Sequence, residues 1–431
     1  MTKNLIFIFE FVSGGGFSQA DIPTSLFCEG FGMLRSIIKD FKALDFEIYT
    51  LLDYRIFFLS KILDADVIKK IHTHENYLKV FKNFVRECKY VFIIAPETSN
   101  ILFELTKIAK NFNKIILSTN LSGIKLGTSK IRIYNFFKKN EILTPRTYRI
   151  PYKEEFLDFD FIIHKYRKLN GPIVIKPEDG VGAESVYYFE NENQISDFFK
   201  EFYRTHDKNQ NFILQEFIEG KDSSISLIGS PNLLGLNPII LTVNSQDINI
   251  KNLKSEYLGG YTPLENYKEI LGELSVVMKK INFSKIEGYF GIDFIEKYPS
   301  TLYFIEINPR LTTSYIGLRN VINLNCAELI LNSKTNDLKS TEIKILNHSH
   351  FTRVDFNITE FKDKVELYED VIPSLMKKIP EFVTPPISLN NSEQFSSFIA
   401  TKTKDLTSSR IRVNEIIQSL KDLNFKVVKP I

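Results

Sequence analysis

Two apolar runs late in the chain constrain its fold most. They are Gly288-Tyr289-Phe290-Gly291-Ile292-Asp293-Phe294-Ile295-Glu296 and Tyr303-Phe304-Ile305-Glu306-Ile307-Asn308-Pro309-Arg310. Both are rich in β-branched and aromatic residues and bounded by turn residues, the pattern of strands. The short segment Lys297-Tyr298-Pro299-Ser300-Thr301 between them predicts an antiparallel hairpin. With the turn centred on Pro299–Ser300, Asp293 faces Glu306, and Asn308 follows on the same strand face. Opposed side chains have Cβ atoms roughly 4.5–5.5 Å apart. Two carboxylates that close repel unless a cation lies between them. Asp293, Glu306 and Asn308 offer only oxygen ligands, the set that Mg²⁺ prefers. The alternative is a surface hairpin with scattered polar residues.

The next chemical signal lies upstream. Ile173-Val174-Ile175-Lys176-Pro177-Glu178-Asp179-Gly180-Val181-Gly182-Ala183 reads as a strand that ends in a lysine and enters a loop with two glycines. Glycines let backbone N–H groups approach an anion closely. Lys176 adds a point charge for a phosphate oxygen. No Gly-x4-Gly-Lys-Ser/Thr run is present, so this is not a Walker loop. A second strand end, Gln215-Glu216-Phe217-Ile218-Glu219-Gly220-Lys221-Asp222, offers backbone groups to a purine edge and a carboxylate to ribose hydroxyls. Read without the other motifs it is a solvated acidic turn.

A length of 431 residues suggests about three domains. Residues 1–120 alternate strand and helix signals, which predicts a small doubly wound parallel sheet. Its strands are Leu5–Val12, Glu47–Leu52, Tyr90–Ala95 and Lys114–Leu117, and its helices Ser25–Leu44, Asn76–Cys88 and Ser99–Phe112. A helix over Ser129–Asn140 opens a second unit, residues 121–335. From Gly171 to Ile248 its signals are mostly β, and its amphipathic helix carries Leu264, Tyr267, Leu271, Leu274, Met278 and Ile281. A helix from about Thr313 to Asn332 follows the hairpin. After the polar stretch Asn332–Ser340, residues 336–431 read as a small α+β domain with a turn at Thr384-Pro385-Pro386 and a helix near Val413–Leu423. The fold class is α/β and α+β, multidomain.

A net charge of +3 over this length implies neither a nucleic-acid partner nor a membrane surface. No run of 18 apolar residues is present, so no membrane span is expected. Cys28, Cys88 and Cys326 match no metal or redox spacing, which suits a reducing cytoplasm. The pairs His72/His74 and His348/His350 lack a third ligand of the right type and read as structural. Ser13–Gly16 ends the first strand, where open α/β sheets bind ligands, and reads as a substrate-side loop or an ordinary turn. Glu97 ends another strand on the same sheet edge and reads as a surface carboxylate or as a group that meets an amine. Arg319 is a candidate for a substrate carboxylate or a plain salt bridge; Tyr257–Tyr261 and Tyr315 read as core or as a frame for an aromatic amine.

Taken in order, these segments resemble the ATP-grasp superfamily of carboxylate–amine ligases. The resemblance rests on the Lys-Pro-x-Asp-Gly-x-Gly flap, the Gln-Glu-Phe-Ile-Glu-Gly linker and the Asp…Glu-x-Asn-x-Arg strand pair. Lys130, in Thr128-Ser129-Lys130, matches the family's first nucleotide lysine. Phe9–Phe17, Leu258-Gly259-Gly260 and Asn308–Arg319 are similar to one branch, which includes the tyramine–glutamate ligases of methanofuran biosynthesis. The resemblance implies an ATP-grasp fold with an N-terminal Rossmann-like domain and a flexible lid over about 145–215. It implies that Lys130 and Lys176 hold the α- and β-phosphates and that the Gly180–Ala183 loop, with Gly182, closes over the triphosphate. It places Gln215 and the backbone of Glu216, Phe217 and Ile218 at adenine, and Asp222 at the ribose. It gives Asp293, Glu306 and Asn308 two Mg²⁺ ions, with Mn²⁺ as a substitute, and gives Arg310 the charge developing on the acyl group. The implied reaction makes an amide from an acid and an amine, with glutamate and tyramine as the branch's pair, through an acyl phosphate, giving ADP and phosphate. The alternatives are a phosphotransferase and a non-catalytic nucleotide-binding protein. The C-terminal domain could cover the active-site edge or mediate a homodimer.

Overall fold

The computed structural model describes residues 4–428 except 181–185, 206–209, 231–236, 252, 299–300, 336–337, 339–341, 359–367, 369–370, 390–393 and 424. The first 120 residues build a five-stranded parallel sheet. Its strands are β1 (Leu5–Glu10), β2 (Glu47–Asp53), β3 (Val67–Ile71), β4 (Tyr90–Ile94) and β5 (Ile115–Ile116), in the order β3-β2-β1-β4-β5. Helices α1 (Thr24–Lys42), α2 (Tyr77–Glu87) and α3 (Ile101–Asn111) connect them. The central strands β1 and β4 are almost entirely apolar, with Glu10 at the end of β1, as expected of a parallel sheet covered on both faces. Phe7 and Phe9 are fully buried and meet Phe81 of α2 edge-on at 5.3 and 5.0 Å. The sequence reading had no strand at Val67–Ile71, where Lys69 and Lys70 break the apolar run at the sheet edge.

Strand β1 ends at Glu10, two residues earlier than expected. Its carboxylate accepts from Val12 N (2.9 Å) and from Ser13 N and Oγ (2.7 and 2.5 Å), folding Val12–Gly16 into a tight turn. Gly15 takes φ +96°, and a Cβ on Gly16 would lie 2.5 Å from Phe11 O. The glycine run is therefore required by a turn that doubles back on its own strand.

Two short helices, α4 (Leu121–Gly127) and α5 (Lys130–Lys139), lead into the second unit. Strand β6 (Thr147–Arg149), the small hairpin β7 (Tyr152–Lys153) and β8 (Phe156–Leu157), and helix α6 (Phe159–Leu169) follow. Next come β9 (Ile173–Pro177), β10 (Tyr187–Phe189), α7 (Glu192–Thr205) and β11 (Phe212–Glu216). Strands β12 (Lys221–Gly229) and β13 (Ile239–Ser245) start a separate antiparallel sheet. Then come β14 (Asp247–Lys251), β15 (Lys254–Thr262) and α8 (Tyr267–Lys280), and then the hairpin of β16 (Gly288–Lys297) and β17 (Thr301–Asn308). The second sheet has the order β13-β12-β16-β17.

The helix expected from Thr313 to Asn332 is broken. The structure has α9 (Tyr315–Leu318), a loop, and α10 (Cys326–Thr335). Arg319 and Tyr315 turn onto Asp40 of α1: Tyr315 Oη donates to Oδ2 at 2.6 Å and Arg319 Nε lies 3.0 Å from both oxygens. Asn325 closes the loop by donating to Asp40 O at 2.9 Å. These residues therefore form a structural anchor on Asp40.

The C-terminal strands are β18 (Ser349–Ile358), β19 (Phe382–Ile387), β20 (Gln394–Ala400) and β21 (Phe425–Val427), with helices α11 (Ile372–Lys378) and α12 (Leu406–Asp422). They belong to the same ten-stranded sheet as β6 and β9–β11, along the path β19-β20-β18-β15-β10-β9-β11-β6. Thr384-Pro385-Pro386, expected as a turn, lies inside β19. That strand is at the sheet edge and its register slips twice, where prolines can sit without a ladder N–H.

The Asp40 anchor yields a stability prediction. Removing one partner leaves the Arg319 guanidinium, 20% exposed, without its counter-charge. Asp40→Ala is expected to destabilise the protein by about 3–5 kcal/mol, read as a lowered urea midpoint.

Candidate active site

The hairpin register decides the site. Gly291 pairs with Asn308, Ile292 with Ile307 and Asp293 with Glu306, as the sequence pattern predicts. Beyond Asp293 the ladder slips by one: Phe294 faces Phe304 and Lys297 faces Thr301, leaving Ile305 as the extra residue. Without this bulge, Asp293 would face Ile305 and Glu306 would turn to the other side. The expected turn centre, Pro299–Ser300, lies outside the described residues.

Asp293 accepts from Asn308 Nδ2 at 2.9 Å and from Gln246 Nε2 at 3.1 Å, one bond on each oxygen. Burial and the neighbouring Glu306 charge push its carboxyl up to about 7. Glu306 goes the other way. Burial raises it, but Lys130 and Lys176 outweigh burial and hold it below the usual carboxylate range. Lys130 Nζ is 3.4 Å from Glu306 Oε2 and donates to Gly180 O at 3.1 Å. Its position follows from a helix cap: Ser129 Oγ accepts from Arg132 N at 3.3 Å and donates to Glu178 Oε1 at 2.6 Å. Arg149 Nη2 also reaches Glu178 Oε1, at 2.7 Å. The roles of Ser129, Glu178, Arg149 and Gln246 escaped the sequence reading, since a single polar residue at a helix cap or a strand end carries no spacing signal.

Lys176 ends β9 and is 7% exposed. Burial lowers its ammonium to about 8; Lys130 adds to this, and Glu306, Asp293 and Asp222 oppose it. Asp222, at the start of β12, is pushed up to about 6 by burial against the pull of Lys176. The structure thus brings Lys130, Lys176, Asp222, Asp293, Glu306 and Asn308 into one electrostatic cluster. Gly180 borders it, 4.0 Å from Lys130 Nζ by its Cβ direction. Gly182 lies outside the described residues.

Of the purine-side residues, Gln215 donates to Thr147 Oγ1 at 2.8 Å, and Glu216 forms an ion pair with Arg146 at 2.8 Å. The N–H groups of Glu216 and Phe217 are taken by Arg146 O (2.9 Å) and Pro172 O (3.1 Å). The Ile218 N–H makes no backbone hydrogen bond among the described residues.

Arg310 follows the hairpin and is 11% exposed. Its Nε lies 3.1 Å from Glu97 Oε1, at the C-terminal end of β4, and Nη1 donates to Leu311 O at 3.0 Å. Burial alone would lower its guanidinium, but Glu97 raises it further. Glu97 therefore meets Arg310 rather than standing open. Thr313 Oγ1 donates to Glu29 Oε2 of α1 at 2.6 Å. Glu10 also feels Arg310, so the turn at Ser13–Gly16 lies on this side of the parallel sheet.

The donor chemistry suits a magnesium ion. Among the described residues no three His, Cys, Asp or Glu side chains gather as a metal cluster. Two facing carboxylates and an amide oxygen suit an ion that completes its shell with phosphate oxygens and water. The oxygens of Asp293 and Glu306 are the groups whose mutual repulsion such an ion would relieve.

The ATP-grasp domain family matches residues 128–314, and the pre ATP-grasp 3 domain matches 46–124. The chain is 30% identical over 351 residues to a tyramine–L-glutamate ligase of Methanocaldococcus jannaschii, covering 80% of this chain and 94% of that protein. The same enzyme of Methanocaldococcus fervens is 28% identical over 341 residues, covering 77% and 95%. Among solved structures, an L-amino acid ligase from Bacillus licheniformis superposes with a TM-score of 0.65 at 14% identity, covering 100% and 99% of the two chains. The biotin carboxylase domain of a Hydrogenobacter thermophilus 2-oxoglutarate carboxylase, solved with MgADP, gives 0.71 at 12% identity, covering 98% and 90%. These two structures speak for the fold.

The raised Asp293 carboxyl has a consequence with a definite sign. The folded state holds its proton up to about 7, well above the ordinary value of 3.8, so stability falls as pH rises through that window. In EDTA at pH 8, Asp293→Asn is expected to melt at or above the wild type. Saturating Mg²⁺ and ATP, at 100 times Kd, stabilise the wild type by about 2.7 kcal/mol; the variant is expected to lose most of that gain. Thermal melts with and without nucleotide check both.

Proposed function

From the premise that the chain belongs to the ATP-grasp family and is an ATP-dependent ligase, we propose that it forms an amide between a carboxylic acid and a primary amine. The acid substrate is glutamate and the amine tyramine or a close aromatic relative, the pair named for the two archaeal relatives. The observation that carries this reading is the buried Arg310, paired with Glu97 beside the Asp293–Glu306 carboxylates. A phosphotransferase has no equal need for a guanidinium at the acyl carbon.

In this reading Lys130 and Lys176 hold the α- and β-phosphates, and the loop from Gly180 through Gly182 to Ala183 closes over the triphosphate. The Ile218 N–H and the Gln215 side chain meet adenine, alongside the backbone of Glu216 and Phe217. Asp222 accepts from the ribose. Asp293, Glu306 and Asn308 would hold two Mg²⁺ ions, with Mn²⁺ able to substitute, and ions there would supply charge neutralisation for the phosphates. The protein's own groups do the rest by position and charge, as phosphoryl transfer requires little covalent help. The substrate carboxylate attacks the γ-phosphate, the P–O bond to the β-phosphate breaks, ADP leaves, and the carboxylate becomes an acyl phosphate. Arg310 stabilises the charge that develops on its oxygen. The amine nitrogen then attacks the acyl carbon and phosphate leaves. Water would hydrolyse the intermediate, which gives the lid over 145–215 its purpose.

A panel of acids and amines scored for ADP release tests the reading, with mass spectrometry of the product. ADP and phosphate are expected only when acid and amine are both present. Release with the acid alone and a stable phosphoproduct would move the chain to the phosphotransferase alternative. Loss of one preorganised donor is worth about 3–4 kcal/mol. Arg310→Ala is accordingly expected to lower kcat roughly a hundredfold or more, measured by steady-state turnover with nucleotide binding followed separately.

A further inference from the structure

The proposed reaction needs a base. A primary amine is protonated at neutral pH, where a lysine-type ammonium titrates near 10.4, and only the neutral amine attacks carbon. Asp247 and His350 stand where this requirement can be met. Asp247 opens β14 and His350 lies on β18, with β15 between them. Neighbouring strands are about 4.8 Å apart, so two strands away means roughly 10 Å between backbones. The side chains nevertheless meet: His350 Nε2 is 3.8 Å from Asp247 Oδ2. The strand position between them is Gly259, which pairs with Asp247 on one side and Thr352 on the other. It has no side chain, and a Cβ there would strike Phe351 O at 2.1 Å; His350 itself pairs with Tyr261, two residues along β15.

His350 is 6% exposed, and neither ring nitrogen has a hydrogen-bond partner among the described residues. A buried imidazole left this way is costly and calls for an explanation. The other charged or titratable groups around it do not supply one. Tyr261 lies across the ladder, His348 two residues back, and the Arg410 guanidinium of α12 over the Tyr261 ring at 5.4 Å. Asp247 is 41% exposed, so the pair is open to solvent at its carboxylate end. A gap of 3.8 Å is too long for a hydrogen bond, but one nitrogen at about 2.8–3.0 Å from each atom closes it.

The pair is tied to the reaction centre. Gln246, the preceding residue, donates to Asp293 at 3.1 Å. The Tyr257 phenol is surrounded by burial first and then by the charges of Glu29, Asp293 and Asp247. Asp247 therefore shares one field with the hairpin carboxylates.

We propose that Asp247 and His350 form the acceptor subsite for a cationic primary amine, in which Asp247 binds the ammonium and His350 accepts its proton. This rests on the amide-forming reading above. The N–H bond breaks toward His350 Nε2, and the freed lone pair forms the C–N bond at the acyl phosphate. The C–O bond to phosphate breaks and phosphate leaves with its electron pair. It takes the second N–H proton as the tetrahedral intermediate collapses.

Hydroxylamine separates the two halves, because it is uncharged at neutral pH and traps the acyl phosphate as a hydroxamate without a base. His350→Gln is expected to lower the ratio of amide to hydroxamate formed at least tenfold. Asp247→Asn leaves the buried imidazole in place and tests the same pair from its exposed end. It is expected to lower the same ratio and to raise KM for the amine. If amide and hydroxamate fall by the same factor, or neither falls, the subsite is refuted. If wild-type protein with ATP and acid yields no hydroxamate, the acyl-phosphate reading itself fails first.

Discussion

Everything chemical in this fold depends on two like charges held face to face. Asp293 and Glu306 are opposed in an antiparallel ladder, and nothing in a sheet's own energetics favours that pairing. The protein makes it tolerable by local means: hydrogen bonds from Asn308 and Gln246 on Asp293, and Lys130 beside Glu306. Even so, Asp293 holds a proton near neutrality. The site is thus poised rather than satisfied, as strained functional sites are. A divalent cation is the simplest group that resolves the conflict, which makes the metal preference a property of the backbone register as much as of the side chains.

The second constraint is that no single sheet holds the site. The four-stranded sheet supplies Asp222, Asp293, Glu306 and Asn308; the ten-stranded sheet supplies Lys176 and Gln215. The parallel sheet supplies Glu97, whose pairing with Arg310 spans 213 residues of chain. Helix α1 contributes twice, through Glu29 to Thr313 and through Asp40 to Tyr315 and Arg319. These contacts fix the segment that follows the hairpin, and with it the direction of Arg310. Position is what a phosphoryl-transfer site needs most, and here it comes from charges shared between layers.

How much of this was legible in the sequence follows from range. The hairpin, its facing carboxylates and the lysine at the end of β9 were readable, because period-two alternation and a short turn fix local geometry. The parallel order of the first 120 residues was readable from alternation of element types. The bulge at Ile305 was not, since one extra residue leaves no compositional trace. Nor was the break after α9, because Tyr315 and Arg319 have helical spacing and only their contact with Asp40, far away in the chain, diverts them. Glu97 was legible as a strand-end carboxylate, but its partner was not. His350 was read as structural by the absence of a third metal ligand; what distinguishes it is an unmet hydrogen-bonding need, visible only in three dimensions.

The lid and the C-terminal strands share one sheet, yet the seam between them is thin. Among the described residues, strands β10 and β15 meet at a single ladder pair, Tyr187 with Lys254, flanked by the bonds Ser255 N to Val186 O and Tyr188 N to Leu253 O. On the other side, β15 pairs with β18 over Gly259–Thr262, and β18 with β20 over seven residues, Phe351–Asn357. Gly259 and Gly260 let β15 run hard against both neighbours, since a Cβ at either would lie 2.1 Å from Phe351 O or Ser245 O. Strand β15 is therefore fixed to the C-terminal part and to β13, and only lightly to the lid. A hinge is cheapest where the fewest hydrogen bonds cross. The seam thus divides the sheet into one part that carries Lys176 and Gln215, on β9 and β11, and another that carries Asp247 and His350, on β14 and β18.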